Sequence, residues 1–175
     1  MEYHVGDYVV HENSGVCCIN EISDMELLGK GSMKTYYVMS PVFKAGARVC
    51  APIEGSSVRL RPVATPDELT YILDHVGELD IIEEPNDRVR VEKFKETMSE
   101  FTPAAMACVV KTVLIRKWMR IASGKKVMAT DEKTMAVAGK KLYEEMAFAL
   151  GKDVTEIQSL FEEKVRESSE VLTAV

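Results

Sequence analysis

The stretch VGDYVVHENSGVCCINEI, residues 5–22, holds two short apolar runs, and each run follows turn residues. The run at 8–10 comes after Gly6-Asp7, and the run at 16–22 comes after Ser14-Gly15. Short β-branched and aromatic runs between turns are typical of strands. Three further runs of this kind follow, at residues 35–43, 48–53 and 58–60. The pattern predicts a small barrel-like sheet of about 60 residues, near the lower size limit for an independent core.

The periodicity of the apolar residues becomes helical after Pro66, which suits the first position of a helix capped by Thr65. Four more helices are predicted beyond a turn at 83–86. The first carries Val91, Phe94, Met98 and Phe101, the second runs from Thr102-Pro103 to Ala122, the third runs from Thr130 to Gly151, and the fourth starts at the capping box Asp153-Val154-Thr155-Glu156.

These elements predict an α+β chain of two domains, a β-barrel followed by an all-α helical bundle. The predicted parts are the barrel at 1–64, a connecting helix and turn at 65–82, the helical domain at 83–167 and a frayed tail at 168–175.

The net charge of −6 conceals an uneven distribution of charge along the chain. Residues 1–82 hold six Lys and Arg against twelve Asp and Glu, whereas residues 88–126 hold ten against three. This asymmetry favours separate partners for the two parts. No apolar run approaches the roughly 20 residues that a membrane helix needs, and the start of the chain lacks a secretory pattern. We therefore expect a cytoplasmic protein.

Candidate catalytic chemistry is sparse. The cysteines, Cys17, Cys18, Cys50 and Cys108, form no CxxC pair, and the three histidines form no metal-binding spacing, so we expect reduced thiols, no metal and no cofactor. One enzymatic alternative is a thiol-dependent enzyme that uses Cys17 or Cys18 with His11 as its base. Trp118 shares a helix face with Leu114 and is expected in the core, whereas Arg116, Lys117 and Arg120 lie on the opposite side.

Taken in order, the motifs of this chain resemble those of the CarD/CdnL family of bacterial transcription regulators. The motifs that carry the resemblance are Val5-Gly6-Asp7-Tyr8-Val9-Val10-His11, Tyr36-Tyr37-Val38-Met39, Val49-Cys50-Ala51-Pro52, Leu60-Arg61-Pro62, Gly124-Lys125-Lys126 and Glu132-Lys133-Thr134-Met135. The resemblance implies a non-enzymatic protein with a Tudor/SH3-like barrel that binds the β-subunit lobe of RNA polymerase. It also implies a helical domain that meets promoter DNA and stabilises the open complex.

The resemblance implies a protein contact formed by Met25, Arg48, Cys50, Ala51 and Pro52. Family members carry arginines at the positions of Met25 and Cys50, and Arg48 is predicted to share a strand face with Cys50 and to take over that role.

The DNA face is predicted to contact mainly the backbone, without sequence specificity, through basic side chains of the helical domain. Its predicted members are Arg88, Arg90, Lys95, Arg116, Arg120, Lys125, Lys126 and Lys133. Family members place a wedging tryptophan near the position of Arg90, where this chain has no aromatic residue. The missing tryptophan leaves open a second interpretation, a polymerase-binding adaptor without productive DNA contact.

Overall fold

The computed structural model describes residues 2–27, 29 and 31–169, and the chain divides into two compact units, Met1–Val63 and Ala64–Val175. The first unit is an antiparallel sheet with the strand order β4-β3-β2-β1-β5. Its strands are β1 (Tyr8–His11), β2 (Gly15–Met25), β3 (Lys34–Pro41), β4 (Val49–Pro52) and β5 (Leu60–Pro62). The antiparallel sheet confirms the strand prediction. Because β4 and β5 form opposite edges of an open sheet, the predicted closure into a barrel is not confirmed.

One face of the sheet carries the core of this unit. Its buried side chains alternate along the strands, as the two-residue period of a strand requires, and they are Val9, Cys17, Ile19, Tyr37, Met39 and Ala51. The register between β2 and β3 shifts between Ile19 and Glu21, so Asn20 forms a bulge. Beyond the bulge, Glu21 lies opposite Val38 rather than Tyr37, which turns Glu21 away from the core face.

His11 closes the hairpin between β1 and β2. Its ring is buried, and its Nδ1 atom accepts hydrogen bonds from the backbone N–H groups of Asn13 (3.2 Å) and Ser14 (3.1 Å). The ring therefore caps the turn, which accounts for a buried histidine in a small sheet.

The second unit is a bundle of five α-helices. They are α1 (Pro66–Asp74), α2 (Asp87–Ser99), α3 (Pro103–Ala122), α4 (Ala129–Leu150) and α5 (Val154–Ser168), with a 3₁₀ turn at Val76–Glu78. Helix α3 lies at the centre, since every residue from Val109 to Ile115 is buried. Residues 65–82, expected as a connecting segment, supply Leu69, Leu73 and Val76 to the core of this unit. No helix of the described part is long and apolar enough to cross a membrane.

Two details of the helical prediction differ from the structure. Phe101 lies beyond the end of α2 and has the left-handed φ of 60°, because the chain turns there to start α3. The Asp153 side chain forms no cap hydrogen bond with the described residues, so the predicted capping box of α5 is wrong. The box does form at α1, where Thr65 and Glu68 bond reciprocally. Of the predicted frayed tail at 168–175, Ser168 is the last residue of α5 and Ser169 is buried, while residues 170–175 lie outside the described residues.

Candidate protein and nucleic-acid interfaces

Strand β4 lies at one edge of the sheet and presents two different faces. Val49 and Ala51 pack on the core side, and Ala51 is only 1% exposed. Residues two apart on a strand share a face, so Arg48, Cys50 and Pro52 lie on the opposite side. The side chain of Ala51 gives no support to the predicted protein contact at this residue, because strand alternation turns that side chain inward.

The backbone N–H and C=O groups of Cys50 point away from the neighbouring strand β3. Cys50 lies opposite Val38, and the next bond along β4 runs from the Ile53 N–H to the Thr35 carbonyl (2.9 Å). Hydrogen-bonded and non-hydrogen-bonded pairs alternate in an antiparallel ladder, which leaves the N–H and C=O groups of Cys50 directed toward the outer edge. Such an edge can pair with a strand of another protein.

Arg48 stands just before β4 with its side chain 63% exposed. Its guanidinium lies 3.6 Å from the Glu21 carboxylate, an ion pair that keeps it on the face shared with Cys50. Met25, at the end of β2, is half-buried opposite Lys34 and lies on this same face by strand alternation from Glu21. The structure thus brings Met25, Arg48, Cys50 and Pro52 to one face of the sheet.

Arg90 does not belong to an accessible DNA face. Its side chain is 1% exposed, and its guanidinium donates to the Asp87 carboxylate (2.6 Å) and to the Glu84 carbonyl (2.9 Å). The same group lies 3.7 Å from the buried Asp131 carboxylate. The predicted DNA contact at Arg90 is wrong, because helical position turns this residue into the bundle while its neighbour Arg88 stays exposed.

A second arginine shares the Asp131 carboxylate. Arg116, on α3, donates from Nε to Asp131 at 3.2 Å and is 25% exposed. The sulfur of Met128 lies 3.7 Å from a terminal nitrogen of both Arg90 and Arg116. These contacts join the start of α2, the last turns of α3 and the start of α4 at one end of the bundle.

Hydrogen bonds to Arg120 hold the first residues of the loop between α3 and α4. Gly124 has a φ of 68°, a left-handed conformation that only glycine adopts without strain, and the Lys125 N–H returns to the Arg120 carbonyl at 2.8 Å. The Arg120 side chain in turn donates from Nε to the Lys126 carbonyl at 2.8 Å. The side chains of Lys125 and Lys126 are exposed beside these anchors.

The remaining predicted DNA residues fall into two groups. Arg88 is exposed in the first turn of α2, and Lys133 is exposed in the second turn of α4, so both lie on elements that meet at the end of the bundle. Lys95 lies two turns further along α2 and pairs with Glu92 at 2.8 Å. We call the first group, with Arg116, Arg120, Lys125 and Lys126, the basic end.

For the alternative of a thiol-dependent enzyme, Cys17 is unsuited as the nucleophile. Cys17 is fully buried, and burial raises its pKa to about 11, so the thiol stays protonated near neutral pH. Its sulfur donates to the Gly15 carbonyl, and the Nδ1 atom of His11 is occupied by the turn. All four cysteines are free thiols, and no group of three metal-binding side chains comes together in the described part.

Sequence reasoning missed the polar side chains that hold the bundle from within. Asp131 gives no periodic signal, because an acidic residue in a first turn is normally an exposed partner of the helix dipole. Lys111 lies at an interior position of α3 and donates to the carbonyls of Gly77 (2.9 Å) and Leu79 (2.6 Å). Trp118 is buried as predicted, with the Arg166 guanidinium 4.5 Å above its ring.

Residues 3–64 match the family model of the CarD-like/TRCF RID domain, and the match ends at the boundary of the sheet unit. The sheet unit is therefore similar to the RNA polymerase-interacting domains that this family model describes. The match covers residues 3–64 of the 175 residues, and it suggests that this part of the chain interacts with RNA polymerase. No curated protein matches the chain.

Proposed function

We propose that the protein is a bacterial, cytoplasmic regulator of transcription initiation. In this proposal the sheet unit binds the β-subunit lobe of RNA polymerase, and the helical unit binds promoter DNA and stabilises the open complex. The observation that carries the proposal is the family match over the sheet unit. The proposed activity is binding alone, without turnover or cofactor.

The polymerase contact is assigned to the face and outer edge of β4. The outward backbone groups of Cys50 offer main-chain hydrogen bonds, which supply affinity in strand addition whatever the side chain. Arg48 supplies an exposed positive charge beside them, and a partner carboxylate would compete with Glu21 for it. An exposed ion pair contributes about 0 to 1 kcal/mol, so exchanging Glu21 for a partner costs little.

The DNA contact is assigned to the basic end of the helical unit. Arg88, Lys125, Lys126 and Lys133 are exposed there, and the buried contacts of Asp131 and Met128 bring their helices together. Side-chain cations on a surface of this kind neutralise phosphates and release counterions, which makes binding steeply dependent on salt. They carry no base-specific readout, so the expected DNA contact follows the backbone.

The test is a salt titration of binding to a promoter duplex. Reversing both charges, Lys125→Glu and Lys126→Glu, should flatten the plot of log affinity against log salt by about 1.8, since each lost phosphate contact contributes about 0.9. The matched control reverses the charges of Lys140 and Lys152. Lys140 is exposed in the middle of α4 and Lys152 is exposed just beyond its end, and each pairs with a glutamate. Equal slopes for the two double variants would remove the basic end from the proposal.

One observation favours the adaptor as a second candidate. The position nearest to the expected wedge holds Arg90, which is buried and engaged with acidic partners. A protein that binds polymerase but does not change the lifetime of a promoter complex under heparin challenge would be this adaptor. The open-complex regulator is expected instead to lengthen that lifetime, and the Lys125→Glu, Lys126→Glu variant is expected to lose the effect.

A further inference from the structure

Asp131 is a fully buried carboxylate in the first turn of α4, a place where acidic side chains are normally solvated. The next residue, Glu132, is exposed and represents the ordinary case. Burying a charge is costly unless the charge is paired, so the position of Asp131 requires partners that repay the cost. Those partners are Arg116 at 3.2 Å and Arg90 at 3.7 Å.

The two arginines come from different helices, and this makes Asp131 a junction. Arg90 lies on α2, and Arg116 lies on α3, while Asp131 itself begins α4. Met128, three residues earlier, packs its sulfur against both guanidinium groups. The C-terminal side of the loop between α3 and α4 is therefore fixed through Asp131 and Met128.

The N-terminal side of the same loop is fixed independently. The Lys125 N–H bonds to the Arg120 carbonyl, and the Arg120 side chain bonds to the Lys126 carbonyl. Lys125 and Lys126 thus belong to the first anchor, and the second anchor, which depends on Asp131, begins two residues later at Met128. Loosening that anchor would leave the two lysines on a loop with one held end.

We propose that Asp131 is a positioning residue that holds the loop, and with it Lys125 and Lys126, in place for phosphate binding. The proposal rests on the proposed DNA contact at the basic end. It assigns Arg90 a role through Asp131 and Met128 rather than through DNA. Loop order lowers the entropy that binding must remove, so a fixed pair of lysines binds phosphates more tightly than a mobile pair.

The first readout is limited proteolysis with trypsin, which cleaves after Lys125 and Lys126 when the loop opens. Asp131→Asn keeps the shape and removes the charge, and it is expected to raise the cleavage rate in the loop about tenfold, because cleavage follows the population of the open form. Glu132→Gln is the matched control, since it removes one carboxylate charge from the adjacent position without touching the arginines. Equal cleavage of these two variants overturns the proposal.

Asp131→Glu restores the charge on a longer side chain and is expected to return part of the protection. If circular dichroism shows that Asp131→Asn does not fold, Arg116→Gln tests instead whether the Asp131 contact holds the loop. Arg116→Gln removes the contact between α3 and Asp131, and Arg116 itself is partly exposed. Faster cleavage of the loop in Arg116→Gln supports the proposal, and unchanged cleavage overturns it.

The second readout is the salt dependence of duplex binding. Both Asp131→Asn and Glu132→Gln remove one negative charge from the basic end, so electrostatics alone predicts tighter binding for each. Positioning predicts a slope shallower by about 1 to 2 for Asp131→Asn only, as one or two phosphate contacts are lost. If the wild-type protein bound no duplex, the proposed function would fail, while the proteolysis would still decide whether Asp131 holds the loop.

Discussion

Arg88 and Arg90 are two residues apart in the same helix, and the structure predicts opposite consequences for the same substitution. Arg90→Met removes a fully buried guanidinium that contacts Asp87, the Glu84 carbonyl and Asp131. Removing one partner of a buried pair costs about 3 to 5 kcal/mol. Asp131 keeps Arg116, so we expect the low end of this range, about 3 kcal/mol.

For a unit of this size, about 3 kcal/mol corresponds to a fall of roughly 12 °C in the thermal midpoint. Arg88→Met changes an exposed side chain and should alter stability by less than about 0.5 kcal/mol. The assay is thermal denaturation of the full chain followed by helical circular dichroism. The slope of duplex binding against salt, measured well below both midpoints, is the second assay.

Each of the two substitutions is expected to change one property and to leave the other unchanged. Arg88→Met should flatten the salt slope by about 0.9 and leave the midpoint in place. Arg90→Met should lower the midpoint and leave the slope in place, because Arg116, the closer partner, still holds Asp131 and the loop. A slope change for Arg90→Met equal to that of Arg88→Met, together with an unchanged midpoint, would refute the buried placement of Arg90 and the reasoning built on it.

Three further predictions concern stability. Lys111→Met leaves the carbonyls of Gly77 and Leu79 without their donor and should cost about 1 to 3 kcal/mol in urea denaturation; no loss would contradict the anchor. Thr65→Ala removes the first cap of α1 and should cost about 1 kcal/mol, which Thr65→Ser should largely recover. Burial raises the pKa of the Cys17 thiol from 9.0 to about 11, so the unfolded thiol ionises first, and stability should fall as pH rises through this window. Cys17→Ser should abolish that part of the pH dependence.

Residues that are close together in the sequence predict most of the secondary structure. As predicted, strands begin at or directly after the turn residues Gly6-Asp7 and Ser14-Gly15. Thr65 and Thr102 both cap helices through their side chains. These signals depend on residues within a few positions of one another, so a single sequence reveals them. Phe101 shows their limit, because its apolar spacing continued the α2 pattern while the chain had already turned.

The candidate site depended on contacts that are distant in sequence. Arg90 meets Met128 and Asp131, 38 and 41 residues further along the chain, and no local pattern reports that meeting. Charge alone therefore gives Arg88 and Arg90 the same prediction, although Arg88 is exposed and Arg90 is buried. The Ala51 side chain is buried for a different reason, since an edge strand still alternates, and one of every two side chains points into the core.

The most direct test of the central claim is calorimetric titration of the full chain with the isolated β-subunit lobe of a bacterial RNA polymerase. The account predicts saturable binding that Arg48→Glu weakens about tenfold or more, because it reverses the exposed charge beside the β4 edge. Arg61→Glu, on the opposite edge strand β5, is the matched control and should bind as the wild type does. Absence of wild-type binding at high micromolar concentration, or equal weakening by both variants, would contradict the account.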